Sequence, residues 1–525
     1  MKLAITLIYI FCLSLTAVQA QEIIWDRSYG GIHGDYLFDA LPTRDFGFLL
    51  AGSSVSDNTG NKKEKARGQL DYWLWKMDEN GSLDWEKALG GSGADLLSKV
   101  VPTRDGGYLL AGTSTSPKDG DKAHPGYGRE DYWVVKLNAD GSEQWQKTLG
   151  GLGSDRLVTA LELPEGGFLL AGASSSPKSE IKEEGSYGAS DYWIVKLSGK
   201  GSVEWETTLG GRFVDRPIAA AAVEGQGIYV LGYSNSGRGG RKLSEGFGEG
   251  DFWLVHLDGK GTLLWEKNYG GERDDRPTAM IALREGGLLL GGISNSPGSG
   301  NKQAGNQKGT DFWLLTLKGD GTILRESTHN IGKYDVLTSL VENRDGTLLL
   351  GGYARSEKTG KKRADKKGIN DYVALKLDAK GEEVWRQEVG SKGDDMLRRL
   401  FVARDGSYIL AGTTNGSISR DKNTGQGRHD FWVVKLGDKE NEEDPGARPV
   451  EAFPNPTSGF TNVVVTEPFE TGEAFLYDLN GRLLGQYPLT GRTLPVDLSK
   501  LPIGVYLVNV ETDTVTGTVK IIKHD

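Results

Sequence analysis

Apolar and polar residues alternate along most of the chain in short runs, and turns that contain glycine separate the runs. One stretch shows the pattern in full, with runs at Leu157–Leu163, Phe168–Ser174, Tyr192–Leu197 and Val203–Leu209. Short runs of this kind, joined by tight glycine turns, are typical of β-hairpins. No helical period is present, so the pattern predicts an all-β protein.

The four runs recur because the sequence is a tandem repeat. An Asp-(Tyr/Phe)-Trp triplet marks each unit and advances by 60 residues five times and then by 59. The triplets begin at Asp71, Asp131, Asp191, Asp251, Asp311, Asp371 and Asp430. Four antiparallel strands in a unit of this size predict one blade of a β-propeller. Unit six deviates, with Val373 and Arg325 in place of tryptophans and residues 328–330 interrupting a glycine pair.

The number of runs predicts how the ring of blades closes. We name the runs a to d from the axis outward; a, b and c occur seven times, but only six d runs follow a c run. The missing d run stands near the N-terminus, at Ile23–Tyr29. We therefore predict a seven-bladed propeller over residues 21–436, whose N-terminal strand completes the last blade beside Phe431–Leu436.

The connections divide the predicted propeller into two faces. The d–a links and the long b–c loops lie on one face, which we call the long-loop face. The tight a–b and c–d hairpins lie on the other, which we call the short-hairpin face. Function tends to reside on variable loops that a rigid scaffold supports, so we expect a ligand at the long-loop face.

The two ends of the chain differ from the repeats. Residues 1–20 combine Lys2, an apolar run and Ala20, which is typical of a secretory signal peptide. Residues 437–451 are acidic and contain proline, which predicts a linker. Residues 452–525 alternate apolar and polar residues in short runs and predict a small β-sandwich.

Four ordered sequence blocks in residues 452–525 resemble the type A C-terminal sorting domain of the type IX secretion system. The blocks are Phe453–Gly459 (FPNPTSG), Leu476–Arg482 (LYDLNGR), Asp497–Tyr506 (DLSKLPIGVY) and Lys520–Lys523 (KIIK). The resemblance implies that the type IX secretion machinery recognises this domain. It further implies that the protein is secreted or held at the outer-membrane surface. The repeats themselves are similar to roughly 60-residue repeats of secreted bacterial proteins, a likeness that carries a fold and no settled activity.

Composition argues against several classes of function. A net charge of −10 provides no basic field for nucleic acid. The single cysteine, Cys12, falls in the predicted signal peptide, and the histidines show no metal-ligand spacing. Neither a phosphate loop nor a nucleophile elbow is present, and no apolar run beyond residue 20 is long enough to span a membrane. The sequence thus predicts no cofactor, no metal and no catalytic residue.

An aspartate opens run a in every unit and forms a predicted ring at the long-loop face. The ring consists of Asp35, Asp95, Asp155, Asp215, Asp275, Asp335 and Asp395. Seven carboxylates around a channel mouth could bind a cation. Because the residue occurs in every blade, we expect instead that each carboxylate accepts hydrogen bonds from its own link.

Two groups of residues in the b–c loops are candidate ligand contacts. Tyr127, Tyr187 and Phe247 stand 60 residues apart, and they either form a platform for sugars or pin their own loops. Lys361, Lys362 and Arg363 belong to the most basic loop, which either meets an anionic glycan or partner or is simply solvated. We therefore predict a non-catalytic binding or scaffold propeller for a glycan or protein. The alternative is a secreted polysaccharide hydrolase or lyase that uses the same face.

Overall fold

The computed structural model describes residues 21–179, 181–307, 309–343, 345–355, 369–437, 449–453, 455–457, 459–467 and 469–524. The predicted signal peptide, Lys361, Lys362, Arg363 and most of the predicted linker lie outside the described residues. Seven four-stranded antiparallel sheets form the blades, and two further sheets form the C-terminal domain. The described residues contain strands and no helix, as the run pattern predicts.

The seven a strands surround the axis, and each contacts the a strand of the next blade until the last meets the first. The a strands are β2 (Asp35–Pro42), β6 (Asp95–Pro102), β10 (Asp155–Glu162), β14 (Asp215–Val223), β18 (Asp275–Ala282), β22 (Tyr334–Glu342) and β26 (Asp395–Val402). The b strands are β3 (Phe48–Ser54), β7 (Tyr108–Ser114), β11 (Phe168–Ser174), β15 (Gly227–Ser234), β19 (Leu288–Ser294), β23 (Leu348–Arg355) and β27 (Tyr408–Thr414).

The c strands are almost completely buried, and the outer d strands are partly exposed. The c strands are β4 (Asp71–Met77), β8 (Asp131–Leu137), β12 (Asp191–Leu197), β16 (Asp251–Leu257), β20 (Asp311–Leu317), β24 (Asp371–Leu377) and β28 (Asp430–Gly437). The d strands are β5 (Leu83–Leu89), β9 (Glu143–Leu149), β13 (Val203–Leu209), β17 (Leu263–Tyr269), β21 (Ile323–His329), β25 (Glu383–Val389) and β1 (Glu22–Tyr29).

The ring closes through the N-terminal strand, which confirms the predicted arrangement. Strand β1 pairs antiparallel with β28, and the last sheet has the order β1-β28-β27-β26. Asp26 reinforces this pairing, because its carboxylate accepts hydrogen bonds from the Trp432 indole at 3.2 Å and from the Asn423 N–H at 2.9 Å. Both ends of the propeller chain therefore belong to one blade, and no outer strand of that blade is left without a partner.

The Asp-(Tyr/Phe)-Trp triplet joins neighbouring blades. The Tyr132 ring lies 4.7 Å from the Trp193 ring of the next blade, and its hydroxyl donates to the Trp193 carbonyl at 3.0 Å. Phe431 and Trp73 form the same ring contact at 4.6 Å across the closing junction between blades seven and one. Offset aromatic pairs of this kind add to the burial energy of their rings, so the triplet is an element of blade packing.

The sequence deviations assigned to unit six straddle the junction between blades five and six. Arg325, Thr328 and His329 belong to β21, the outer strand of blade five, and Asn330 follows it, whereas Val373 belongs to β24 of blade six. The Arg325 guanidinium donates to the Ala379 carbonyl at 2.9 Å, and the Trp205 indole donates to the equivalent carbonyl of Gly259 at 3.1 Å. Arginine thus preserves a contact between blades that tryptophan makes elsewhere.

The C-terminal domain has its own hydrophobic core, formed by residues of its two sheets. One sheet has the order β29-β30-β33 and the other β32-β31-β34-β35. The strands are β29 (Val450–Phe453), β30 (Phe460–Val465), β31 (Gly472–Asp478), β32 (Leu483–Pro488), β33 (Thr493–Asp497), β34 (Gly504–Thr512) and β35 (Thr516–Lys523). Polar contacts join it to the short-hairpin face, including a hydrogen bond of 2.9 Å from Thr493 to Asp45.

Candidate functional site

The aspartate ring is buried rather than open to a channel mouth. All seven side chains have no exposed surface. Each carboxylate accepts a hydrogen bond of 2.6 to 2.8 Å from the backbone N–H four residues earlier in its own link. In five blades a serine hydroxyl from the start of the b–c loop also donates to the carboxylate. These bonds hold each d–a link against its b–c loop.

A second series of aspartates, those of the triplets, fixes the other end of the b–c loops. Asp131 accepts the Tyr127 N–H at 2.8 Å, and Asp251 accepts the Phe247 N–H at 2.7 Å. A methyl group at Gly270 would lie 2.0 Å from the Asp251 carboxylate, so a side chain at this position of the link would require the carboxylate to shift. Where Asn330 replaces that glycine, its amide donates to the Asp311 carboxylate at 2.6 Å.

A lysine series that sequence reasoning missed completes the anchoring of the loops. Lys62, Lys122, Lys182, Lys242, Lys302 and Lys422 are each at most 3% exposed. Lys242 is typical: its ammonium lies 4.9 Å from the Trp253 ring and donates to the side-chain Oδ1 of Asn268 at 3.1 Å. The regular step of 60 residues between these lysines was the sequence signal that could have identified them as part of the repeat. Lys362 holds the sixth place in this step but lies outside the described residues.

Burial of the two aspartate series predicts that stability depends on pH. Burial, followed by repulsion from Asp275, raises the pKa of Asp251 from 3.8 to about 7. Burial likewise raises the pKa of Asp191 and of Asp335 to about 6. The folded chain therefore retains protons that the unfolded chain releases above about pH 4, so stability is lost as pH rises through 6 to 7.

We accordingly expect the melting temperature of the propeller to fall by several degrees between about pH 5 and about pH 8. Differential scanning calorimetry on the chain from residue 21 measures this slope. Asp251→Asn should flatten it, because an amide does not titrate. A melting temperature that is level or rises over this interval would contradict the assignment.

Three candidate aromatic residues are partly exposed on the long-loop face. Tyr127 is 38% exposed, Tyr187 44% and Phe247 41%. Their backbones are fixed by the triplet aspartates, and the side chains of Tyr187 and Phe247 also pack against the next blade. A methyl group at Gly240 would lie 2.9 Å from the Tyr187 side chain, and one at Gly300 would lie 3.0 Å from Phe247. The rings of Tyr187 and Phe247 are therefore held in place on one side and open to solvent on the other.

The part of the chain with described coordinates offers no group of three or more His, Cys, Asp or Glu side chains suited to a metal ion. Over the same residues, no helix is long and apolar enough to cross a membrane. The candidate site thus consists of aromatic rings and polar loop residues on a rigid frame.

Comparison with known families concerns the C-terminal domain. Residues 451–524 match the family described as "Secretion system C-terminal sorting domain" (Por_Secre_tail). The match confirms the resemblance noted in the sequence blocks. The chain is therefore a type IX-secreted protein, extracellular or attached to the cell surface. Among curated proteins, none matches the chain.

Several solved structures resemble the whole chain weakly. The WD40 domain of Pan2 from Neurospora crassa is 9% identical, with 76% of this chain and 89% of that chain covered and a TM-score of 0.40. Hydrazine synthase from Kuenenia stuttgartiensis is 9% identical, with 78% and 97% covered and a TM-score of 0.41. PorZ, a surface component of the type IX secretion system of Porphyromonas gingivalis, is 10% identical, with 95% and 100% covered and a TM-score of 0.24. Likenesses of this size carry no argument about function.

Proposed function

We propose that the propeller is a non-catalytic binding module that captures an extracellular glycan on its long-loop face. In this proposal residues 21–436 form the binding unit, residues 437–451 are a linker, and residues 452–525 serve export. The observation that carries the proposal is the set of half-exposed rings of Tyr127, Tyr187 and Phe247. They occupy equivalent positions on three consecutive blades, so sugar units could stack on successive rings.

The way in which the loops hold these rings supports a binding role. Each ring follows a loop whose lysine is buried and whose end is tied to a buried aspartate. Little conformational entropy would therefore be lost when a ligand settles on the rings, and a preorganised surface loses less affinity to ordering. Lys361, Lys362 and Arg363 remain candidate contacts for an anionic glycan by their charge alone.

The test separates binding from catalysis. The chain from residue 21 is incubated with neutral and acidic polysaccharides, and both retention and the release of new reducing ends are measured. We expect retention without release. If the partner at this face is a protein, no polysaccharide is retained. If new reducing ends appear, the protein is a hydrolase or lyase instead.

Truncation of the aromatic rings locates the site. Each of Tyr127→Ala, Tyr187→Ala and Phe247→Ala is expected to weaken retention about tenfold, which corresponds to ~1.4 kcal/mol. Phe460→Ala is a matched control, because Phe460 is 37% exposed but belongs to the C-terminal domain. If the three loop variants and the control reduce retention equally, these rings are not part of the binding site.

A further inference from the structure

The axis of the propeller contains a cavity of about 670 Å³, lined by the a strands. Each a strand has a β-bulge just after the third residue counted from its ring aspartate, as between Leu37 and Asp39 in β2. A bulge changes the direction of the side chains that follow it. The lining of the cavity includes the bulged residue of each strand and the residue that follows it, such as Phe38 with Asp39 and Arg398 with Arg399.

One side of this cavity is charged, although the propeller is a repeat. The fourth residue after the ring aspartate is Asp39 in blade one, Lys99 in blade two and Arg399 in blade seven. In the other four blades the residue at this position is small and neutral. Those residues are Thr159, Ala219, Ala279 and Ser339. Blades four and five, which face blade one across the axis, therefore present a wall of alanine opposite the charges.

The lining of the cavity carries more cationic than anionic side chains. Among the described lining residues, the charged ones are Asp39, Lys99, Arg398 and Arg399, with two net positive charges. Asp39 pairs with Lys99 at 3.1 Å and with Arg399. Arg398 has no such partner: its Nε is buried and lacks a hydrogen bond among the described residues, and its guanidinium lies 5.7 Å from the Phe38 ring. An unpaired cation beside an apolar surface is suited to an anion.

We propose that the axial cavity binds an amphipathic organic anion, whose carboxylate or sulfonate meets Arg398, Lys99 and Arg399 while its apolar body lies against Ala219 and Ala279. The cavity has the size of a small-molecule site, and such sites combine mainly apolar walls with a few convergent polar groups. This site is separate from the long-loop face and does not depend on the glycan proposal.

Octanoate is the probe, and isothermal titration calorimetry on the chain from residue 21 is the measurement. We expect one octanoate per chain. Octylammonium and 1-octanol have the same chain length without the negative charge and should bind at least about tenfold more weakly. Saturation by octylammonium at equal affinity, or no saturable heat with octanoate, overturns the proposal.

Two variants place the ligand. Arg398→Gln removes the unpaired cation without touching the Asp39 pairs and should weaken octanoate binding about tenfold. Ala219→Phe fills the alanine wall and should abolish binding. Arg216→Gln is the control, since Arg216 is exposed on β14 and does not line the cavity. Circular dichroism and melting temperature verify folding; full octanoate affinity in folded Ala219→Phe would show that the cavity is not the site.

Discussion

Deleting residues 21–30 is expected to lower the melting temperature of the propeller by roughly 10 °C or more, or to abolish its cooperative transition. The deletion removes β1, so β28 becomes the unpaired outer edge of the closing blade. It also removes Tyr29, which is 4% exposed, packs 4.7 Å from the Trp75 ring and donates to the Gly81 carbonyl at 2.8 Å. Large buried side chains contribute about 1.5–3 kcal/mol each, against a total stability of about 5–15 kcal/mol.

Calorimetry on two deletions of equal length tests this expectation. Removal of residues 516–525 takes away β35 of the C-terminal domain and should leave the propeller transition in place, since that domain has a separate core. A synthetic peptide of residues 21–30, added to the shortened chain, should restore part of the lost stability. If the chain without residues 21–30 melts as the longer chain does, ring closure does not depend on β1.

The architecture could be predicted because the repeat shows all its parts in sequence. Seven a, b and c runs with only six following d runs require a strand from elsewhere, and Ile23–Tyr29 was the available one. Strand ends were less predictable. Run a was placed at Leu157, whereas β10 begins at Asp155, because a buried aspartate does not register in an apolar pattern.

The buried lysines show why the site was harder to predict. A lysine in a polar loop is usually solvated, so charge density drew attention to Lys361, Lys362 and Arg363. The regular step from Lys62 to Lys302 was visible, but its meaning depends on two carboxylates and a tryptophan that other strands supply. Contacts of this kind join separate strands of one blade and leave no trace in the apolar pattern.

The axial charges were hidden for a different reason. Asp39, Lys99 and Arg399 can be aligned by counting from the ring aspartate, yet the bulge that places consecutive residues at the axis leaves no mark in the sequence. Without the bulge, alternation would direct only every second side chain inward. The sequence therefore predicted an axis but not the chemistry of its wall.

The ion pairs at this wall lead to the second large effect: Asp39→Ala should lower the free energy of unfolding by about 3–5 kcal/mol. Asp39 is 2% exposed and also accepts the Val100 N–H of blade two at 3.0 Å. Although burial opposes its ionisation, Arg399 and Lys99 hold the pKa of Asp39 below its ordinary value. Its removal would leave two cations, from the blades on either side of blade one, without their counter-charge.

A triple variant distinguishes a lost ion pair from a lost packing contact. Asp39→Ser, Lys99→Thr and Arg399→Ser together reproduce the neutral residues that four other blades carry at this position. Because replacing a complete buried ion-pair group by neutral residues is often harmless, we expect this variant to unfold within about 1 kcal/mol of the unchanged chain. Urea denaturation of both variants measures the difference. If the triple variant is as unstable as Asp39→Ala, the closing junction requires these side chains themselves and not merely their balanced charge.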